Sequence, residues 1–297
     1  MVHPGLEASR HASRLCYVRL YLPIPNPHEG QRTMSLSAKI LMLSQWQALG
    51  LILGVMMVLS LLGFYLTHRL MPLRVRMIHN EVAGFVFAAI AAIYGVLLAF
   101  VVIVVWEQFH QTRVNTQHEA SLALRLYYEM GIVDEEKALT QLRDGLMNYL
   151  HDVVEKEYPA MAAMQPPPPA AQGLVSLWGS LKSLTPRTTQ AEKLYEELLD
   201  NLGELSRLRA QRLDDAIEEL PGIIWVGLIG GAIISLVFTF ILGTENIRIH
   251  AVMIALLAAL IGLIFHVVIQ LDHPFLGSVS ISPEVFQEVI EIGAAGR

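Results

Sequence analysis

Cysteine is almost absent from this chain. Cys16 alone stands in 297 residues, which excludes an intrachain disulfide and any cysteine-based zinc site. Catalytic signatures are missing too. There is no phosphate-cradling P-loop, no dinucleotide glycine fingerprint, no zinc-ligand spacing and no serine-hydrolase elbow. His118-Glu119 lacks the second histidine that a zinc peptidase needs. The acidic pairs Glu135-Glu136, Glu196-Glu197, Asp214-Asp215 and Glu218-Glu219 fall among helical repeats and read as solvated helix faces. We expect no enzyme, no metal ion and no cofactor.

The most informative absence is of charge. Gln47–Thr67, Val82–Trp106, Gly222–Gly243 and Ile249–Gln270 contain no Asp, Glu, Lys or Arg. Each is long enough to cross a hydrocarbon core of about 30 Å as a helix. The hydrophobic fraction of 54% and mean hydropathy of +0.47 agree with four such spans. Charge gathers in the middle instead. Glu107–Glu219 carries 19 acidic and 11 basic residues, while the remainder carries 8 and 10, together giving the net −6 of the chain. An acidic, water-facing module excludes nucleic acid as a partner and leaves the lipid bilayer as the first partner.

These features divide the chain into a tail over residues 1–45, a first membrane hairpin over 46–106, a helical bundle over 107–220, a second hairpin over 221–270 and a C-terminal stretch over 271–297. The expected fold is all-α, with four transmembrane helices in two hairpins and a cytoplasmic bundle inserted between the second and third spans. The tail has Arg10, Arg14, Arg19, Arg32 and a cluster of prolines but no continuous apolar core of a signal peptide. Either it lacks order or translation begins at Met34. Pro166–Pro169 reads as a stiff surface connector. Lys and Arg near the span ends number six on the side of the bundle and four on the other. This bias places the termini and the bundle in the cytoplasm.

Within the bundle, Glu107–Met130 continues the second span without a helix breaker, Asp134–Tyr158 is expected to stop at Pro159, and Leu174–Leu184 is a short amphipathic helix. Thr188 or Thr189 caps a last helix running to Pro221. Ser282-Pro283-Glu284 starts a short helix, Pro283–Ile292.

Candidate functional positions come from spacing. The third span places Gly227, Gly231, Ser235, Thr239 and Gly243 four residues apart on one face. The second span has Gly84, Ala88, Ala92, Gly95 and Ala99, the first has Gly50 and Gly54, and the fourth has Ala255, Ala259 and Gly262. Small residues in lipid let backbones approach closely; in an oligomer the same face is a candidate pore wall. His266 and Gln270 continue the small face of the fourth span and form a candidate polar membrane site.

Several segments carry a resemblance. They are Tyr94-Gly95-Val96-Leu97-Leu98-Ala99-Phe100 followed by Trp106-Glu107-Gln108, then Glu157-Tyr158-Pro159-Ala160-Met161, Leu271-Asp272-His273-Pro274-Phe275 and Ser282-Pro283-Glu284. Together they resemble the bestrophin-like family of bacterial membrane proteins, itself similar to the bestrophins. The resemblance implies a homo-oligomeric, pentameric channel for small anions in the bacterial inner membrane, with Phe85, Ala89 and Ala92 on the pore side of the second span. The dense acidic calcium clasp of the bestrophins is missing, since only Asp272, Glu284, Glu288 and Glu291 are scattered there. A non-conducting scaffold or sensor that recruits a cytoplasmic partner is the competing expectation, and oligomeric state separates the two.

Overall fold

The computed structural model describes residues 36–71, 80–133, 135–165 and 172–295. The expected tail over 1–33, the prolines at 166–169 and the arginine-bearing turn around Pro72 lie outside them. Among the described residues every regular element is helical and none is a strand.

Four helices are long and apolar enough to cross a membrane. These are α2 (Gln45–Leu70), α3 (Asn80–Met130), α8 (Gly222–Ile241) and α9 (Ile247–Asp272). A short helix α1 (Leu36–Leu41) precedes them, inside the stretch expected to lack order; Ala38 and Leu41 are its buried residues. The remaining helices are α4 (Glu136–Asp152), α5 (Tyr158–Ala162), α6 (Gln172–Ser183), α7 (Thr189–Asp215) and α10 (Glu284–Ala295), with a π-helical turn, Val153–Glu157, between α4 and α5.

The chain divides into two compact units. One holds Ser35–His110 and Glu218–Ser280; the other holds Gln111–Ile217 and Ile281 onward. The first contains the apolar spans. Its interior lies where α9 meets α2: a Cβ on Gly262 would come within 3.1 Å of Leu53 and 3.4 Å of Met56. Phe240 of α8 packs on Gly63 of α2, and His250 Nε2 lies 2.9 Å from the Thr239 carbonyl oxygen. Asn80 fixes the start of α3, donating to the Gly243 carbonyl and accepting from the Gly243 N–H, both at 3.1 Å.

In the second unit, hydrophobic periodicity sets the helices and polar residues end them. Thr188 caps α7 by accepting from the Ala191 N–H at 3.1 Å. The helix ends at Asp215 rather than at Pro221, because Ala216 and Ile217 close turns back onto the Arg212 and Asp214 carbonyls. Pro159 does not stop the preceding helix. The π turn comes first, with the Tyr158 N–H bonded five residues back to the Val153 carbonyl. Pro159 then falls in the first turn of α5, where a missing N–H costs nothing.

Candidate functional site

The second span is held to its own chain by one face. Tyr94, Leu98, Val101 and Val105 are buried there, and the Tyr94 hydroxyl donates to the Leu228 carbonyl of α8 at 2.9 Å. The Tyr94 ring fills the space above Gly231, where an added Cβ would stand 2.3 Å from a ring carbon. Gly227 lies one turn along, in ordinary contact range of Leu97. Farther along, Ser235 and Thr239 are buried; the Thr239 hydroxyl donates to the Leu236 carbonyl at 2.6 Å.

The small-residue face of the second span is a different face, and it is largely uncovered among the described residues. Ala88, Ala92, Gly95 and Ala99 are exposed, Phe85 is 81% exposed, and a Cβ on Gly84 or Gly95 would find open space. Gly50 and Gly54 of the first span are equally open. Equal spacing therefore divides into faces packed within the chain, on α8 and α9, and faces left bare, on α2 and α3. The difference comes from which neighbour carries a large complementary group, here Tyr94.

At the far end of α9, His266 and Gln270 are buried, and His266 Nδ1 and Gln270 Oε1 have no hydrogen-bond partner among the described residues. Gln270 Oε1 lies against Gly277, whose φ of +77° is a conformation that favours glycine. The next residues have partners. Asp272 Oδ1 accepts from the Leu220 N–H at 2.8 Å, and His273 Nε2 lies 3.0 Å from Ser37 Oγ. Pro274 and Phe275 are buried beside them. Trp106 is mostly exposed and stacks on Phe109 and His110; Glu107 is exposed.

The second unit contains a cluster that spacing alone did not single out. Arg212 of α7 is fully buried. Its Nε donates to Glu119 Oε2 at 2.8 Å, and its Nη2 donates to Glu119 Oε1 at 3.0 Å and to Glu157 Oε2 at 2.7 Å. Arg209 Nε donates to Glu157 Oε1 at 2.7 Å. The Tyr149 hydroxyl donates to Glu119 Oε1. The Arg212 guanidinium also lies 5.7 Å from the Tyr158 ring centre and 5.6 Å from that of Phe286. Two carboxylates and two guanidiniums balance, so the cluster is buried without net charge.

Burial is the strongest influence on the Glu157 carboxyl and would raise its pKa, but Arg212 and Arg209 together outweigh it and hold the group below the usual glutamate range. Burial, and after it the Glu119 charge, pushes the Tyr149 hydroxyl well above its ordinary value, so it stays a donor.

The π turn aims Glu157 into this cluster. On α4 the buried positions run Leu142, Leu146, Tyr149, Val153, at steps of four and three. Residue 156 would come next in a regular helix. The extra residue of the π turn moves Glu157 into that place and leaves Lys156 outside, paired with Asp152 at 2.5 Å. The sequence signal existed. Leu198, Leu202, Leu205, Arg209 and Arg212 share one four–three stripe on α7, and Thr112, Thr116, Glu119, Ala123, Leu126 and Met130 share another on α3. Charges at core positions of both stripes mark a buried ion cluster.

Glu157, Tyr158 and Met161 surround Arg212, with Met161 Sδ 3.6 Å from Nη1, and Ser282 accepts at its carbonyl from the Tyr158 hydroxyl. Two of the segments that carry the family resemblance thus meet at one cluster. A family model, the bestrophin-like domain, matches residues 54–286. The chain belongs to the bestrophin-like family. Comparison with curated proteins and with solved structures gave no match. The matched range takes in the first apolar helix from Gly54 onward, the other three apolar helices and the buried ion cluster.

Proposed function

We propose that the chain is one subunit of a homo-oligomeric channel that passes small anions across the bacterial inner membrane, with the termini and the helical unit in the cytoplasm. The observation that carries this reading is the bare face of the second span. Phe85, Ala88, Ala92 and Gly95 are uncharged, small or apolar, and stand exposed among the described residues. A single copy offers no aqueous path along them. A ring of copies that turned these faces inward would enclose a pore whose width is set by the small side chains. Selection would then rest on ion size and hydration rather than on bond-making chemistry. Family membership supports both the ring and the conduction. The ion balance of the bundle fits a structural core rather than an enzymatic site.

Native mass spectrometry of the detergent-purified protein tests the assembly. We expect a closed oligomer, with five copies favoured by the family. A monomer or a dimer would overturn the pore, because neither encloses the second-span face.

A further inference from the structure

The end of α9 carries a short helix with it. Pro274 disfavours a helical conformation at the residue before it, and His273 leaves the helix at φ −125° and ψ 81°. Its imidazole is 3% exposed, with Nε2 3.0 Å from Ser37 Oγ of α1. Helix α1 packs on α9, and its Ala38 and Leu41 are buried. Leu41 lies over Gly277, where an added Cβ would stand 3.4 Å from the Leu41 Cδ2. One hydrogen bond and two buried apolar residues thus seat α1 on the turn that follows α9.

The seat decides whether α1 exists as a helix. It has six residues, and a helix that short does not hold itself in water, because nucleation costs more than so few backbone bonds return. Whatever loosens the seat melts α1.

His273 is the group in the seat that changes charge near neutral pH. In the neutral ring Nε2 donates to the Ser37 hydroxyl or accepts from it, so either tautomer keeps the bond. A second proton puts a charge on a buried ring that makes no ion pair among the described residues. The surrounding charges do not offset this. Burial is the largest influence on the imidazole and holds it below its ordinary value; Glu219, from the segment before α8, pulls the other way and is outweighed. Asp272 turns Oδ1 to the Leu220 N–H. Glu218 and Lys39 of α1 are exposed, and His266 lies seven residues earlier on α9.

We propose that His273 and Ser37 form a pH-sensitive latch, in which the neutral imidazole holds α1 on the turn after α9 and protonation of the ring releases it. The latch requires neither ion conduction nor a particular number of copies. Its sign follows from the depressed folded-state value. The contribution of the neutral ring is complete above the unfolded value of about 6.5 and is lost as pH falls through the lower, folded one. Acid opens the latch.

The test is hydrogen exchange of the full chain in lipid nanodiscs, read by mass spectrometry on peptides covering Ile40 to Leu43. Protection is expressed relative to the intrinsic exchange rate at each pH. Between pH 7.5 and pH 5.0 it should fall at least fivefold, within a ceiling of about thirtyfold set by one proton over the interval below 6.5. Peptides around Tyr94 should keep their protection. His273→Gln is neutral at both pH values and should remove the dependence, and Ser37→Ala should lower the protection at pH 7.5. Protection in the parent that is equal at the two pH values, or an equal fall in His273→Gln, would overturn the proposal. If His273→Gln leaves α1 unprotected at both, the ring itself decides. In ¹³C NMR of the histidine-labelled parent, the resonance missing from the variant should titrate with a midpoint below 6.5; a midpoint at or above 6.5 would equally overturn the latch.

Discussion

At Arg212 the fold depends on a single side chain. Its guanidinium holds Glu119 and Glu157 together and takes the ring faces of Tyr158 and Phe286. Removing one partner of a buried pair leaves the other charge uncompensated, at a cost of about 3–5 kcal/mol. Arg212→Met is therefore expected to lose stability of that order in denaturant unfolding. Arg209→Met should lose less, because Glu157 retains Arg212. Equal, small losses in both would contradict a cluster centred on Arg212. The Glu157 carboxyl also sets a pH dependence. Its folded pKa is depressed, so its contribution is complete above the ordinary glutamate value of about 4.3 and disappears as pH falls through the depressed value. The melting temperature should drop through this acid window, and Glu157→Gln should lower it at neutral pH while flattening the acid limb. Parallel melting curves for parent and variant would refute the assignment.

Among the elements, the third span separates packing from mere composition. An added side chain at Gly231 meets the Tyr94 ring, whereas Val226 is 66% exposed and lies about 140° away around the helix. Gly231→Leu should cost about 1–3 kcal/mol, the overpacking scale, and Val226→Leu should be nearly neutral; melting temperatures of the two variants in detergent decide the matter. Helix existence was legible because it rests on local pattern: the uncharged spans, the Thr188 cap and the unbroken run into Met130 all appear as helices or their caps. The partner of each face was not legible. Gly95 and Gly231 look alike in sequence, yet one is bare and the other lies under a tyrosine. The π turn was equally hidden, since a one-residue register shift has no residue of its own to announce it, and Pro159 read as a stop. Glu119, Arg209 and Arg212 were readable as charges on apolar stripes, but their mutual pairing requires the three-dimensional meeting of α3, α4 and α7 with the π turn.

For the whole molecule, four apolar helices and the family match establish a membrane protein of the bestrophin-like family, and the bare second-span face makes the reading of conduction specific. Ala92 is exposed and remote from the buried anchors on Tyr94 and Leu98, so a bulky residue there tests the pore without testing the fold. The most direct measurement is halide flux into liposomes reconstituted with the purified chain, read by a chloride-quenched dye. The account predicts uptake well above protein-free liposomes, at least tenfold reduced by Ala92→Trp with an unchanged melting temperature. Uptake by the parent protein no faster than that of empty liposomes would contradict it.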